Sequence, residues 1–380
     1  MKWKVQKLFE KFPMVGIVGP RQSGKTTLAK DAFPMLTYVN LEAIHVREIA
    51  QNDPQGFLKS YPNGAIFDEI QNVPTLFPYL QVISDERGTS GQYVLTGSHH
   101  FLLLEKISQS LAGRIALTTL LPLSLDELNP RTESPFPVAF EGFYPGMHSR
   151  KIEPNDFYGN YLTSYVERDV RQIMNLRDLA MFQKFLRLCA GRAGQLLNLS
   201  SLANDCGISQ PTARQWLSVL EASFIVFLLQ PNHSNFNKRL IKSPKLYFHD
   251  TGLLCNLLNI SSANQLESHY LRGEIFENLV VGDIGKNFYN NGQLPTMSFW
   301  RDQRGVEIDL IVEKDGKTQA IGIKSGQTMH QDFLKNLIHW RELSPTSSLS
   351  LIYGGSEKFQ QHGIGIHPWF EHSIRPACDG

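Results

Sequence analysis

The first third of the chain alternates short apolar runs with stretches of helical periodicity. This alternation is typical of an α/β domain built on a parallel sheet. The apolar runs predict five strands, at residues 14–18, 36–41, 65–67, 92–96 and 116–122. The stretch that follows is rich in Pro, Gly, Ser and Phe and has no clear period, so we expect a connecting segment over residues 129–157.

Beyond the connecting segment, apolar residues recur at intervals of three and four as far as residue 229, which predicts a mostly helical module. After residue 268 the pattern predicts first a helix and then strands near residues 296–300, 306–313 and 318–324. A second helix near 332–342 and a strand near 348–353 follow. The chain thus divides into an α/β domain at 1–128, the connecting segment, a helical module at 158–267 and a second α/β domain at 268–380.

Charge and composition narrow the classes of function. The 380 residues include 37 Lys and Arg against 36 Asp and Glu, so a net charge of +1 offers no global field for nucleic acid or an anionic membrane. Four scattered cysteines without a CxxC spacing argue against a disulfide framework and a cysteine zinc site. The longest strongly apolar run, residues 224–229, is far shorter than the roughly 20 residues that span a bilayer. We therefore expect a cytoplasmic protein with no membrane partner.

A glycine-rich loop joins the first predicted strand to a helix-compatible stretch. Residues 19–26 read GPRQSGKT, which fits the phosphate-binding pattern GxxxxGKT between a strand and a helix. Backbone N–H groups and the helix N-terminus favour phosphate oxygens there, Lys25 would pair with the β- and γ-phosphates, and the Thr26 hydroxyl would hold Mg²⁺. The predicted nucleotide-binding residues are Gly19, Pro20, Arg21, Gln22, Ser23, Gly24, Lys25, Thr26 and Thr27. The alternative is a glycine-rich turn with a solvated lysine.

Acids and hydroxyls end the later strands of the same domain. Asp68 would hold Mg²⁺ through its water shell, and Glu69 would orient and deprotonate an attacking water. We expect Ser98, with Thr96 behind it, to contact the γ-phosphate or that water. Arg114 is predicted as an arginine finger, acting in cis or across the subunit boundary of an oligomer. The alternatives are two solvated acids and an arginine that pairs with an acid at the sheet edge.

The order of these motifs resembles the AAA-type (AAA_14-like) ATPases of prokaryotes. The shared motifs are GPRQxGKTTL at 19–28, FDEIQ at 67–71, LTGS at 95–98 and LAGR at 111–114. Two later motifs, YxxxYVERDV at 161–170 and GExFExLV at 273–280, are similar to the domain of unknown function DUF4143 that accompanies such ATPases. The resemblance implies a P-loop NTPase sheet of the ASCE type, ATP as the nucleotide, a winged-helix middle and a restriction-endonuclease-like α/β C-terminal domain.

The middle module carries a helix-turn-helix pattern at residues 199–220. Small Ala203 allows close helix crossing, Gly207 makes the turn, Ser209 caps the second helix, and Pro211 lies in its first turn. Residues 224–229 and 245–248 would be the wing strands. The pattern therefore predicts a winged helix, used either on DNA or as a protein-contact module.

The cations that could bind DNA lie outside the predicted recognition helix, which offers only Arg214 against Glu221. In the loop between the wing strands they are Lys238, Arg239, Lys242 and Lys245. In residues 161–195 they are Arg168, Arg171, Arg177, Lys184, Arg187 and Arg192, against Glu167, Asp169 and Asp178. If the module binds DNA, the wing and the preceding helix would therefore form the basic face; a protein-contact role stays an equal alternative.

The last module carries part of a nuclease-like set. Such a site needs an acid on a helix, an Asp on a strand and Glu-x-Lys on the next strand, because carboxylates bind Mg²⁺ and the lysine assists the attacking water. Glu277, Asp309 and Lys324 fit three of these positions, but Gly322 stands where the second acid belongs and cannot bind a metal.

Glu307 and Glu313 lie at even spacing from the strand Asp, hence on its face, and either could in principle compensate for the missing acid. The glycine nevertheless favours an inactive domain, in which the remaining charged residues form a packed ion-pair cluster.

The leading hypothesis is a P-loop ATPase that binds ATP with Mg²⁺ and couples hydrolysis to the winged-helix and nuclease-like modules, on DNA or with a protein partner. The first alternative is a slow ATP-gated switch that binds a protein partner with little turnover. The second is an ATP-regulated nuclease, which Gly322 argues against.

Overall fold

The computed structural model describes residues 1–98, 111–130, 134–165, 179–232 and 242–371. These residues form two units. Unit 1 takes the described chain up to residue 122, together with residues 222–224 and 288–293. Unit 2 takes the rest of the described chain.

Strands and helices alternate along unit 1. Its elements are α1 (Lys2–Phe9), β1 (Met14–Val18), α2 (Lys25–Ala32), β2 (Thr37–Asn40), α3 (Ile44–Asn52), α4 (Pro54–Lys59), β3 (Ala65–Asp68), a 3₁₀ turn (Ile70–Asn72), α5 (Leu76–Arg87), β4 (Tyr93–Gly97) and β5 (Ile115–Thr119). The five strands form one parallel sheet in the order β2-β3-β4-β1-β5. The predicted N-terminal α/β domain with a parallel sheet is confirmed, and each strand lies within three residues of its predicted bounds.

The central strands of this sheet are buried on both faces, as parallel strands covered by helices are. Every residue of β1, β3 and β4 is buried. Alternate side chains enter two apolar clusters: Met14 and Phe67 belong to one, and Val15 and Ile66 to the other. Because β4 lies between β1 and β3 and all three run parallel, their carboxyl ends meet at one edge of the sheet.

The first part of unit 2 is helical. Its elements are α6 (Leu125–Leu128), α7 (Pro135–Glu141), α8 (Pro145–Arg150), α9 (Pro154–Tyr165), α10 (Leu179–Ala190), α11 (Leu199–Cys206), α12 (Gln210–Ala222), β6 (Val226–Leu229), β7 (Lys245–Phe248), α13 (Thr251–Leu257), α14 (Ala263–Ser268) and α15 (Arg272–Asn290), whose last residues belong to unit 1.

Three helices begin within the predicted connecting segment, residues 129–157. Each begins with a proline: Pro135, Pro145 and Pro154. Proline has no N–H to lose in a first turn, and its fixed φ suits that position. The prolines that suggested an irregular segment therefore start helices.

Helices α11 and α12 and the antiparallel pair β6-β7 lie where the sequence predicts helices and strands. Gly207 ends α11 in the left-handed region, with φ of 84°. The Ser209 hydroxyl accepts a hydrogen bond from the backbone N–H of Thr212 at 3.2 Å and so caps α12. Trp216 of α12 packs edge-on against Phe182 of α10, with ring centroids 5.3 Å apart.

A mixed sheet completes unit 2. Its elements are β8 (Met297–Arg301), β9 (Glu307–Lys314), β10 (Lys317–Lys324), a 3₁₀ turn (Gln331–Leu334), α16 (Lys335–Leu343), β11 (Ser348–Tyr353), β12 (Phe359–Gln361) and β13 (Ile364–Pro368). The strand order is β12-β13-β11-β10-β9-β8, with β10, β11 and β13 parallel and the other pairs antiparallel. The sequence did not predict β12 and β13, which a two-residue turn joins; both turn residues, His362 and Gly363, have positive φ.

Across the described ranges, no helix combines the length and the apolar character needed to cross a membrane.

Helix α15 buries two charged side chains beside the start of unit 2. Asp283 Oδ1 accepts a hydrogen bond from the backbone N–H of Leu125 at 2.6 Å. Lys286 Nζ donates to the carbonyl oxygen of Leu123 at 2.9 Å and lies 3.7 Å from the ring centroid of Phe143. Burial lowers the pKa of Lys286 to about 8, against the opposing charges of three nearby acids, Asp250, Asp283 and Glu127.

This shift predicts that the free energy of unfolding rises with pH between 8 and 10, relative to that of a Lys286→Met variant. In the unfolded chain the lysine has a pKa of about 10.4, so over this interval the unfolded state binds more protons than the folded state. The expected gain of the wild type over the variant is about 2 kcal/mol. Urea unfolding at pH 7, 8, 9 and 10 measures it, with Lys59→Met, which replaces an exposed lysine, as the matched control. A constant difference between wild type and Lys286→Met across this range would contradict the buried-lysine account.

Candidate active site

The glycine-rich loop begins where β1 ends at the sheet edge. A Cβ atom at Gly19 would lie 2.1 Å from the carbonyl oxygen of Leu120, so only glycine fits. Gly24, with φ of 95°, is the N-cap of α2. Gln22 also has a positive φ, of 60°. These conformations turn the chain from the sheet edge directly into α2, as a phosphate-binding loop requires.

Two side chains of the loop region are buried against it. Lys25 is 5% exposed, and its Nζ donates to the carbonyl oxygens of Gly19 at 3.0 Å and Pro20 at 2.6 Å. The Ser23 hydroxyl is buried and has no hydrogen-bond partner among the residues that the structure describes. A buried, unsatisfied hydroxyl is costly, and a phosphate oxygen in the loop would satisfy it. The loop therefore fits the phosphate chain of a nucleotide.

The carboxylate of Asp68, at the end of β3, accepts hydrogen bonds from three hydroxyls on three different elements. Thr26 Oγ1, in the first turn of α2, lies 2.9 Å from Asp68 Oδ2. Tyr38 of β2 donates to the same oxygen at 2.7 Å. Thr96 of β4 donates to Oδ1. The structure thus brings together Thr26 and Asp68, the two residues predicted to hold Mg²⁺, and their oxygen atoms are the ligand type that Mg²⁺ prefers.

Tyr38 is a residue of the site that the sequence did not point to. Burial and its hydrogen bond to Asp68 raise the pKa of the phenol above its usual value, so it stays a donor at neutral pH. The Nζ of Lys30 lies 3.5 Å from its ring centroid. Tyr38 belongs to no motif, and only the neighbouring positions of β2 and β3 in the sheet bring it to Asp68.

Glu69 turns away from the strand direction. Its φ and ψ of 57° and 49° are left-handed, which is uncommon for a residue with a side chain. The Glu69 backbone N–H donates to Thr96 Oγ1 at 3.3 Å. Ser98 Oγ donates to Glu69 Oε2 at 3.1 Å, and the side-chain amide of Gln71 donates to the same oxygen. Glu69 and Ser98, both predicted at the site, therefore meet, together with Gln71, to which the sequence assigned no role.

Arg114 lies at the opposite edge of the sheet from the loop. Strand β5 runs parallel to β1, and its first residue, Ile115, pairs with Met14, the first residue of β1. Arg114 therefore lies at the amino ends of these strands, whereas the loop follows their carboxyl ends. Its guanidinium forms a two-point salt bridge with Asp85, at 2.6 and 2.8 Å. The arginine-finger role in cis is therefore corrected, because this edge does not face the loop; a role across a subunit boundary stays a prediction.

A second charged cluster lies in unit 2. Carboxylate oxygens of Glu277 on α15 and of Glu307 and Asp309 on β9 lie within 4.8 Å of one another. Lys245, only 3% exposed, donates to Glu277 at 2.8 Å and to Glu307. The Tyr247 hydroxyl donates to Glu277 at 2.5 Å. Burial raises the pKa of Glu277 to about 7, and the positive charge of Lys245 opposes the rise.

Further cations complete this cluster. Lys324 Nζ lies 3.2 Å from Asp309 Oδ2, which also accepts the backbone N–H of Ile323 at 2.7 Å. Arg301 Nη1 lies 3.1 Å from Glu307 Oε2. Three acids thus face three cations, and the predicted residues Glu277, Asp309 and Lys324 do come together.

Two expectations about this region change. Lys245 is not a solvent-facing cation of the wing loop, because its ammonium is buried between two carboxylates. Glu313 does not join the cluster; its Oε1 accepts a hydrogen bond from Asn232 at 3.3 Å. At Gly322, a Cβ atom would lie 3.3 Å from methyl carbons of Leu337 and Leu351, so the position faces apolar side chains.

Five of the ten cations predicted to contact DNA lie outside the described residues. These are Arg168, Arg171, Arg177, Lys238 and Arg239, along with the acids Glu167, Asp169 and Asp178. Of those within the described ranges, Arg192 forms a salt bridge with Asp205, and Lys184 donates to the carbonyl oxygen of Cys206 at 3.2 Å. Arg187, Arg214 and Lys242 are exposed.

Comparison with known proteins agrees with the loop and the sheet. Residues 11–129 match the family model of an AAA domain (AAA_14). Residues 136–264 match a domain of unknown function, DUF8612, and residues 272–369 match another, DUF4143.

Similar whole proteins span most of the chain. The uncharacterised proteins Rv2008c of Mycobacterium tuberculosis and Mb2031c of Mycobacterium bovis are each 28% identical over 362 residues, 94% of this chain and 80% of theirs. A solved structure, the Walker-type ATPase PABY2304 of Pyrococcus abyssi, covers 68% of this chain and 94% of its own at 15% identity, with a TM-score of 0.48. The order read from the motifs is confirmed: an AAA domain that matches AAA_14 is followed at the C-terminus by a match to DUF4143. The motif at residues 161–170, expected to belong to DUF4143, lies instead within the match to DUF8612.

Proposed function

We propose that unit 1 binds ATP together with Mg²⁺ and hydrolyses the nucleotide. The observation that carries this proposal is the 2.9 Å contact between Thr26 and Asp68, beside a loop that holds a buried hydroxyl without a described partner. The match of residues 11–129 to an AAA domain supports nucleotide binding.

Each part of the loop has a task in holding the nucleotide. The backbone N–H groups from Gly19 to Thr27 would surround the phosphate oxygens, and the N-terminus of α2 adds its dipole. Lys25 now donates to two loop carbonyls and would exchange them for oxygens of the β- and γ-phosphates. Thr26 and Asp68 would hold Mg²⁺, which would neutralise charge on the β- and γ-phosphates.

Glu69 is the base in this proposal. Its carboxylate would accept a proton from the water that attacks the γ-phosphate. Ser98 donates a hydrogen bond to it, and Thr96 fixes the backbone of Glu69 as well as the Asp68 carboxylate. These hydrogen bonds would therefore hold the Glu69 carboxylate in one orientation when ATP is bound.

Single-turnover hydrolysis separates this proposal from the ATP-gated switch. We expect Glu69→Gln to lower the hydrolysis rate by at least about 100-fold, because general bases contribute about 10²- to 10⁴-fold. Its ATP affinity should remain within about twofold of wild type, because the amide replaces a group that does not hold the phosphates. Lys25→Ala should lose ATP binding itself.

Glu86→Gln, which changes an exposed glutamate of α5, is the matched control for this measurement. A wild type that turns over no faster than Glu69→Gln would contradict hydrolysis and would favour the switch.

For unit 2 we propose that α11, α12 and the β6-β7 pair form a winged-helix module and that the second sheet has a nuclease-like fold without nuclease activity. The cluster of Glu277, Glu307 and Asp309 with its three cations supports the absence of nuclease activity, because Lys245 already provides Glu277 and Glu307 with the positive charge that a metal would bring.

We propose further that ATP hydrolysis in unit 1 is coupled to the winged-helix module. Lys245 and Arg192 are engaged with acids, which supports a protein partner, whereas the exposed Arg187, Arg214 and Lys242 support DNA; both partners stay open in this proposal.

Plasmid nicking in Mg²⁺ or Mn²⁺ tests the proposal that the cluster has no nuclease activity. We expect wild type to nick supercoiled plasmid no faster than Asp309→Ala, because Lys245 already gives Glu277 and Glu307 the positive charge that a metal would bring. Gel electrophoresis over several hours gives both rates. Nicking by wild type that Asp309→Ala abolishes would overturn this assignment.

A further inference from the structure

We propose that Gln71 is a third residue of the water-handling group, and that its side-chain carbonyl oxygen accepts a hydrogen bond from the water that attacks the γ-phosphate. The inference rests on the proposed ATP hydrolysis and adds a residue to it. It comes from the position of the Gln71 amide between Glu69 and Ser98 and from the buried, unpartnered oxygen on that amide.

The backbone after β3 places Gln71 beside Glu69. The left-handed conformation of Glu69 ends the strand, and a 3₁₀ turn over Ile70–Asn72 follows at once. The backbone N–H of Asn72 donates to the carbonyl oxygen of Glu69 at 3.0 Å and closes the turn. Ile70 is fully buried in the apolar cluster beneath the sheet, which anchors the turn. The side chains of residues 69 and 71 are therefore held on the same side of a fixed turn.

The chemistry of the neighbours settles which way the Gln71 amide points. An ionised carboxylate only accepts hydrogen bonds, so the atom of Gln71 that contacts Glu69 Oε2 must be the nitrogen. The same nitrogen lies 3.4 Å from Ser98 Oγ. Since Ser98 gives its own hydrogen to Glu69, its oxygen is the acceptor toward Gln71. The amide nitrogen of Gln71 thus donates its hydrogen bonds to Glu69 and Ser98.

The carbonyl oxygen of the same amide is different. Gln71 Oε1 is buried and has no hydrogen-bond partner among the described residues. Buried carbonyl oxygens are nearly always paired with protein or with ordered water, so this oxygen indicates a site for a water molecule. A water bound there would lie beside the Glu69 carboxylate, which the nitrogen of the same amide contacts.

The reaction balances without any change in Gln71. The water gives one proton to the Glu69 carboxylate while its oxygen forms a bond to the γ-phosphorus. The bond between that phosphorus and the bridging oxygen breaks, and ADP leaves with the electron pair. The proton on Glu69 passes on to the phosphate product, so Glu69 is regenerated. Gln71 only accepts a hydrogen bond from the second O–H of the water and so fixes the direction of its lone pair.

Two variants of Gln71 test the inference in the full-length protein. Gln71→Met keeps the length of the side chain but removes both donor and acceptor; we expect kcat to fall by at least about tenfold while ATP affinity stays within about twofold. Gln71→Asn keeps the amide but shortens the side chain by one methylene, so its carbonyl oxygen withdraws from the water. We expect a similar fall in kcat, again with ATP affinity within about twofold of wild type.

Gln51→Met is the matched control. The Gln51 side chain contacts the same turn, donating to the carbonyl oxygen of Asn72 at 3.4 Å, but it is not part of the site. We expect kcat and the ATP affinity of this variant to match wild type.

The outcomes separate this inference from the function on which it rests. If Glu69→Gln is inactive while Gln71→Met retains the kcat of wild type, the role of Gln71 is wrong and ATP hydrolysis stands. If Glu69→Gln is as fast as wild type, the proposed hydrolysis itself fails. Should Gln71→Met fold poorly, Gln71→Asn decides alone: a kcat equal to that of wild type overturns the inference.

Discussion

The Asp68 carboxylate joins the elements of unit 1 that a nucleotide site needs. It accepts hydroxyl hydrogen bonds from Thr26 on the helix after the loop, Tyr38 on β2 and Thr96 on β4. These elements meet only because β1, β3 and β4 run parallel and end at one edge. A buried carboxylate must be paired, so the arrangement fixes the loop against the sheet before any ligand binds. Thr26 and Asp68 would hold Mg²⁺ here, because their oxygen atoms are the ligand type that this ion prefers.

The sequence predicts the parts of this site that follow from local motifs. The loop at residues 19–26, the adjacent acids Asp68 and Glu69, and the hydroxyls that end β4 all follow from short patterns in apolar surroundings. Residues brought in by the sheet order or by backbone conformation leave no such pattern. Tyr38 arrives through the neighbouring strand, and Gln71 through the left-handed turn at Glu69.

The positions of Arg114 and Lys245 also depend on contacts that local patterns do not reveal. Arg114 follows a motif, but parallel pairing of β5 with β1 places it at the far edge, against Asp85. Lys245 looked like one of several loop cations, yet it is buried against acids that lie 32 and 62 residues further along the chain. Long-range packing decides both of these cases. The prolines of the connecting segment differ, because proline suits the first turn of a helix as well as irregular chain and the choice is local.

The central claim is that Thr26 and Asp68 hold the metal that accompanies ATP. The most direct test compares the dissociation constant of ATP in Mg²⁺ and in EDTA, by isothermal titration calorimetry, for wild type and Asp68→Asn. We predict that Mg²⁺ tightens ATP binding to wild type and that this gain falls by about tenfold or more in Asp68→Asn, while affinity in EDTA is unchanged. An equal gain from Mg²⁺ in both proteins would contradict the account.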